Sequence, residues 1–238
     1  MAFQSAQNSR VLAGAFSYSP KLTQWSVPST ITPIEVTTIA DSAKQFIPGD
    51  DTSTLTMGGY FDDDGTAGAF FASVNTWMTT PTGVTVAPSG LALGSELVMV
   101  NANQSNVTNV TSDPAANTFT FAAQTDGVTD FGRSLHDLTA ETATAVGTGY
   151  DNGAATANGG LAQIHVTAFS GFTNIIVLVE HSVDNSVWAT LATFSTVTAA
   201  TSERITIAAG TTVRRYLRSS WTKTGTGSCT FQVGFARR

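Results

Sequence analysis

The sequence predicts a mostly β protein: an antiparallel β-sandwich or barrel, one flanking α-helix at about residues 66–79, and an extended N-terminal arm. Three observations carry this. Short β-branched and aromatic segments recur along most of the chain, separated by turn-forming Gly, Asn and Asp. All seven prolines lie at or before Pro114, so none interrupts strand pairing in the second half. One segment alone has its apolar residues at the helical period.

Residues 1–30 mix Phe3, Phe16, Tyr18 and Trp25 with polar residues and show no clear period. They read as an arm whose aromatic anchors either reach a partner or pack on the same domain. The β signals begin at Ile31 and run to Ile39, with Pro33 marking an edge strand or a strand start. Pro48-Gly49-Asp50-Asp51 is turn chemistry, and Leu55 to Phe61 reads as the next strand. In 66–79, Ala67, Phe70, Phe71, Val74, Trp77 and Met78 fall on one helical face, preceded by the N-cap candidates Asp62, Asp63, Asp64 and Thr66.

Strands are then predicted at Val84–Ala87, Glu96–Ala102, Asn106–Thr111, Thr118–Ala123 and Val128–Leu138. Residues 139–160, rich in Gly, Ala, Thr and Asn, form either a mobile loop or one that covers a surface. In 162–168, Ala162, Ile164, Val166 and Ala168 alternate with polar residues, which puts His165 on a polar surface face. Asn174 to Glu180 is a continuous apolar run, the pattern of a strand buried on both faces. Val187–Phe194, Glu203–Ala208, Val213–Trp221 and Ser228–Ala236 complete the set. The domain reading is an arm at 1–30 and a β domain at 31–238, or two β subregions, 31–138 and 161–238, joined by 139–160.

Charged residues are only 12% of the chain, against roughly 25% in an average soluble protein. A surface of small neutral polar groups is cheap to dehydrate and suits repeated protein contacts. Net charge is −6, without the Lys/Arg excess that non-specific nucleic-acid binding needs. Residues 1–151 carry −10 and residues 152–238 carry +4, a polarity that favours head-to-tail attraction between copies. The single Cys229 excludes an internal disulfide. No signal-like apolar core opens the chain and no stretch approaches a membrane span, so folding in a cytoplasm is expected and no membrane partner is.

No catalytic, cofactor or metal constellation stands out, so no enzyme activity and no cofactor are expected. His136, His165 and His181 are isolated, without a helical metal-binding pair. His181-Ser182-Val183-Asp184 holds the residue types of a triad, but not at a spacing that would converge them. Asp62-Asp63-Asp64 reads as a helix cap rather than a cation loop. Arg214-Arg215-Tyr216-Leu217-Arg218 interleaves cations with an aromatic as single-strand binders do, and reads as a partner-facing strand or an intra-sheet salt-bridge strand, with Glu180, Asp184 or Glu203 as candidate partners.

Two stretches resemble the tail tube (major tail) proteins of long-tailed bacteriophages. One runs through Ile34-Glu-Val-Thr-Thr-Ile-Ala-Asp41, Ala43-Lys-Gln-Phe-Ile-Pro-Gly49 and Gly58-Gly-Tyr-Phe-Asp62. The other combines Glu180-His-Ser-Val-Asp184, Trp188 and Phe194 with Arg215-Tyr-Leu-Arg218 and Phe231-Gln-Val-Gly-Phe235. The resemblance implies a virion protein, assembled in the host cytoplasm, whose copies form stacked rings, commonly of six. DNA passes through their lumen without specific binding, and terminator and tail-tip proteins are the other partners. It implies self-assembly contacts at Phe3, Phe16, Tyr18, Trp25, Phe46, Asp50, Asp51, Arg214, Arg215 and Arg218. A head decoration or tail-tip protein is a rival within the virion. A carbohydrate-binding adhesin module, using Trp25, Trp77, Trp188 or Trp221 as sugar platforms, is a rival outside it.

Overall fold

The computed structural model describes residues 6–19, 22–60, 80–110 and 117–238. Phe3 and the segment expected to be helical at 66–79 lie outside the described residues, as do Asp62–Asp64. Within the described residues the chain is mostly β, with a single short 3-10 turn at Ala6–Asn8, and its strand pairings are antiparallel. The chain divides into two compact units. One comprises residues 1–20, 82–99 and 130–238; the other comprises residues 21–81 and 100–129.

The first unit is organised by two long strands, Gly160–Ser182 and Tyr216–Arg237, of 23 and 22 residues. They pair from Gly160↔Arg237 to Ser182↔Tyr216. Strands of about 5–6 residues are usual, and this pair reaches its length by irregularities in its middle. The register shifts between Val166 and Ala168, Ser170 and Phe172, and Phe172 and Asn174. Gly171 and Gly225 stand there at φ 78° and 90°, and a Cβ on Gly171 would lie 2.6 Å from the Thr226 carbonyl oxygen. The bulges bring both halves of the pair into one core. Ile164 and Val166 from one side share it with Ile175, Val177 and Val179 from the other, together with Leu217, Trp221, Phe231 and Val233.

Neighbouring strands follow this division. Thr201–Ile207 pairs with the Gly160–Val166 stretch, and Trp188–Thr193 with the Leu178–Ser182 stretch. Asp130–Glu141 borders the second long strand. Residues 139–160 cover a surface: Ala145–Val146 and Tyr150–Asp151 pair with that same strand, and the Trp221 indole donates to the Ala143 carbonyl at 2.9 Å. From the N-terminal region, Arg10–Ala13 pairs with Thr82–Ala87 and buries Val11, Leu12 and Ala13.

Burial reverses two sequence expectations. Asn174–Glu180 alternates, with Ile175, Val177 and Val179 inside and Ile176 exposed, because a single core cluster lies on one side. Gly160–Val166 is the stretch buried on both faces, including the polar Gln163 and His165. Polar residues can occupy that second face because their hydrogen bonds are satisfied there.

The second unit is built on Asp51–Tyr60, Thr118–Thr125 and the Val100–Val110 part of the strand Glu96–Val110. Leu55, Met57, Ala102, Phe119, Phe121 and Ala123 are buried. Two strands were expected over 96–111; one is observed. The polar Asn103-Gln104-Ser105 continues the ladder, Asn103↔Gln124 and Gln104↔Ala123, and the register shift at Ala122/Ala123 absorbs one extra residue. Leu22–Ser26 and Ser29–Ile31 pair with Asp51–Tyr60.

Candidate functional site

Between Ile31 and Asp51 the second unit carries a long tongue. Its two short strands pair Ile34↔Ile47 and Glu35↔Phe46. Local chemistry shapes the rest. The Val36 amide donates to the Gln45 carbonyl at 2.9 Å, and the Gln45 amide to the Thr37 hydroxyl at 3.0 Å. At the tip, the Asp41 carboxylate accepts from the Thr38 amide at 2.7 Å and the Thr38 hydroxyl at 2.9 Å, which holds its pKa below the ordinary carboxylate value. Glu35 is likewise held low, mainly by Lys44 at 2.9 Å and then by the Thr37 hydroxyl. At its base, a Cβ on Gly49 would collide with the Thr32 carbonyl, so this close approach requires glycine.

Several polar groups of the tongue, Glu35, Thr37, Thr38, Asp41 and Lys44, thus bond to one another, but its apolar side chains are not covered. Ile31, Ile34, Val36, Phe46 and Ile47 are roughly half exposed, and Ile39 is fully exposed. A two-stranded hairpin is marginal in water by itself, and clustered apolar exposure marks an interaction surface.

The other sequence-derived contact residues are placed differently. Phe16 and Tyr18 belong to the first unit, with ring centroids 6.4 Å apart; Tyr18 is 2% exposed and Phe16 half-buried. Trp25 is half-buried opposite Met57. Asp51 is a clasp within the second unit. Its carboxylate accepts from the Thr129 amide at 2.9 Å and from the Ser29 and Ser53 hydroxyls at 3.2 Å each, and the Thr129 bond chiefly lowers its pKa. Asp50 and Phe46 lie on the exposed tongue.

The three arginines lie in the first unit. Arg218 donates to Glu180 at 2.7 Å and lies 4.2 Å from the centre of the Trp188 ring. Arg215 grips Asp151 through two bonds of 2.7 and 2.6 Å, which lowers the Asp151 pKa to about 2. The Arg214 backbone amide donates to His181 Nδ1 at 3.3 Å. Glu180 was among the expected partners; Asp151 was not, because only the Tyr216↔Asp151 pairing brings it near.

The triad residue types do not converge. The Ser182 hydroxyl donates to Asp184 at 2.9 Å, while Asp184 also accepts from the Ser186 and Val187 amides at 3.0 Å each, forming a turn with its pKa lowered to about 2. Among the described residues no His/Cys/Asp/Glu group is placed to hold a metal ion. The Cys229 thiol is buried, which pushes its pKa up to about 11.

His165 is fully buried rather than on the surface, at the end of a polar chain within the first unit. Its Nδ1–H donates to the Gly14 carbonyl at 2.8 Å, leaving Nε2 to accept from Gln163 Nε2 and the Thr85 hydroxyl at 2.8 Å. Gln163 Oε1 accepts from Arg204 at 3.1 Å. Arg204 and Arg238 then converge on Asp130, at 2.6 Å and at 2.8 and 3.0 Å, and the Asp130 side chain is 2% exposed. Sequence alternation alone does not reveal this cluster, since its members come from distant strands.

No family model and no curated protein matches the chain. Among solved structures, a tail of an empty gene transfer agent particle with C6 symmetry is similar at 13% identity and a TM-score of 0.39, over 47% of this chain and 81% of that one. The SPP1 Dit protein, described as a hub adsorption apparatus of phages infecting Gram-positive hosts, is similar at 10% identity and a TM-score of 0.37, over 96% and 98% of the two chains. A chain of the phage p2 baseplate in its activated conformation is similar at 8% identity and a TM-score of 0.38, over 97% and 98%. Scores at this level fall short of a shared fold.

Proposed function

We propose that the chain is a structural protein of a bacteriophage-type tail that works by packing against copies of itself into stacked rings, a tail tube through which DNA leaves without specific binding. The observation that carries this reading is the tongue, which is braced by its own Glu35–Lys44 and Thr38–Asp41 contacts and whose apolar side chains are left for another surface. The sequence resemblance to tail tube proteins includes this same segment, Ile34 to Gly49.

Charge distribution supports the reading. The second unit's residues carry nine Asp/Glu and two Lys/Arg, a net of −7, whereas the first unit's residues carry +1. Unlike charge between different parts of two copies guides association in one orientation. An acidic face turned to the lumen would keep phosphates from sticking. Terminator and tail-tip proteins would cap such a stack, and the finished protein would reside in the virion tail.

The test is sedimentation velocity of the full chain over a concentration series, beside a variant with Ile34, Ile39, Phe46 and Ile47 each changed to serine. Concentration-dependent growth of the wild type, lost in the variant while its unfolding midpoint is kept, supports the proposal. Equal growth of both removes the tongue from the account, and a wild type that stays monomeric throughout, also after addition of a tail-tip nucleus, refutes it.

A further inference from the structure

The first unit contains an open cleft of about 400 Å³ lined by apolar side chains, two arginines and Glu96. Phe131 is its exposed apolar side chain, Leu97 and Phe235 lie beneath at 1% exposure each, and Arg133 and Arg237 stand against Glu96 in its charged lining. Phe131 is well exposed at 64% although it sits on a paired strand. Arg237 gives one amino group to the Val213 carbonyl at 2.9 Å, but its buried Nε has no acceptor among the described residues. Arg133 donates to the Gly94 carbonyl at 3.3 Å and meets Glu96 at 3.2 Å, the latter a pair open to water on both sides and therefore weakly held. The exposed Phe131 ring beside two arginines with only weak or backbone partners fits a ligand that presents a carboxylate next to apolar side chains.

We propose that this cleft receives the tongue of a second copy of the chain, with Phe46 and Ile47 against Phe131 and the Asp50 carboxylate at Arg133 and Arg237. The inference rests on the self-packing reading and specifies its receiving surface. Charge chooses this occupant: the tongue, residues 31–51, carries four carboxylates against the single Lys44, a net of −3. Residue by residue, its other carboxylates are engaged, Glu35 with Lys44, Asp41 with Thr38 and Asp51 with Thr129. Asp50 is exposed, follows the half-exposed Phe46 and Ile47, and has no ion-pair partner among the described residues.

Charge reversal tests the pairing. Arg133→Glu and Asp50→Lys, each in the full chain, are expected to weaken self-association at least about tenfold in sedimentation velocity. The double variant carrying both is expected to recover it. Phe131→Ser, which changes an exposed side chain without altering charge, is expected to weaken association as well, and thermal midpoints confirm that every variant folds. Undiminished association of Arg133→Glu and Phe131→Ser, or failure of the double variant to recover, overturns the cleft while leaving self-packing standing. A wild type that does not associate, also after addition of a tail-tip nucleus, overturns both.

Discussion

Acid should destabilise the first unit through His165. The ring is fully buried, and burial, its largest influence, lowers its pKa from 6.5 to about 4, with the nearby Arg204 cation acting the same way and the Gly14 hydrogen bond opposing. The folded pKa lies below the unfolded one. The unfolded chain therefore binds the extra proton first, and stability present above about pH 6.5 falls as pH drops toward 4. Between pH 7 and pH 5 this linkage amounts to about 2 kcal/mol. Protonation would also replace the acceptor at Nε2 by a donor facing the Gln163 amide, which lies 2.8 Å away. The assay is urea unfolding at both pH values for the wild type and His165→Gln. The variant should be less stable at pH 7 yet lose about 2 kcal/mol less on acidification. Equal pH dependence in the two proteins would refute the buried, neutral histidine.

Three further outcomes follow from other parts of the molecule. Asp130→Asn leaves Arg204 and Arg238 facing each other without their shared carboxylate, and should cost about 3–5 kcal/mol in urea unfolding. Gly171→Ala forces a left-handed backbone and a close contact with the Thr226 carbonyl, and should cost about 1–3 kcal/mol and lower the thermal midpoint. Ile39→Ser removes a fully exposed side chain, so the thermal midpoint should stay put while concentration-dependent sedimentation weakens.

Much of the β architecture was legible in the sequence because alternation and turn residues are local signals. Thr118–Ala123 and Ser228–Ala236 were read within strands observed at Thr118–Thr125 and Tyr216–Arg237. The middle of the latter, Thr222 to Gly227, contains two glycines and lies between the predicted strands Val213–Trp221 and Ser228–Ala236; it is strand because residues 172–176 pair with it. The burial of Gln163 and His165 was illegible for a related reason. Polarity is a property of the residue, whereas satisfaction depends on Thr85, Gly14 and Arg204, all distant in sequence. In the candidate site, Phe46 and Asp50 are marked through the tail-tube resemblance, with Pro48 to Asp51 read as turn chemistry, and both lie on the exposed tongue. The ion pairs of Arg215 and Arg218 could not be told from intermolecular ones until strand pairing placed Asp151 and Glu180 beside them.

Self-packing into a hollow tube is tested most directly by negative-stain electron microscopy of the purified full chain at rising concentration. The account predicts rings that stack into tubes with a central channel, and their loss in the tongue variant. Dispersed monomers or compact closed oligomers without a channel, at every concentration and also after addition of a tail-tip nucleus, would contradict it.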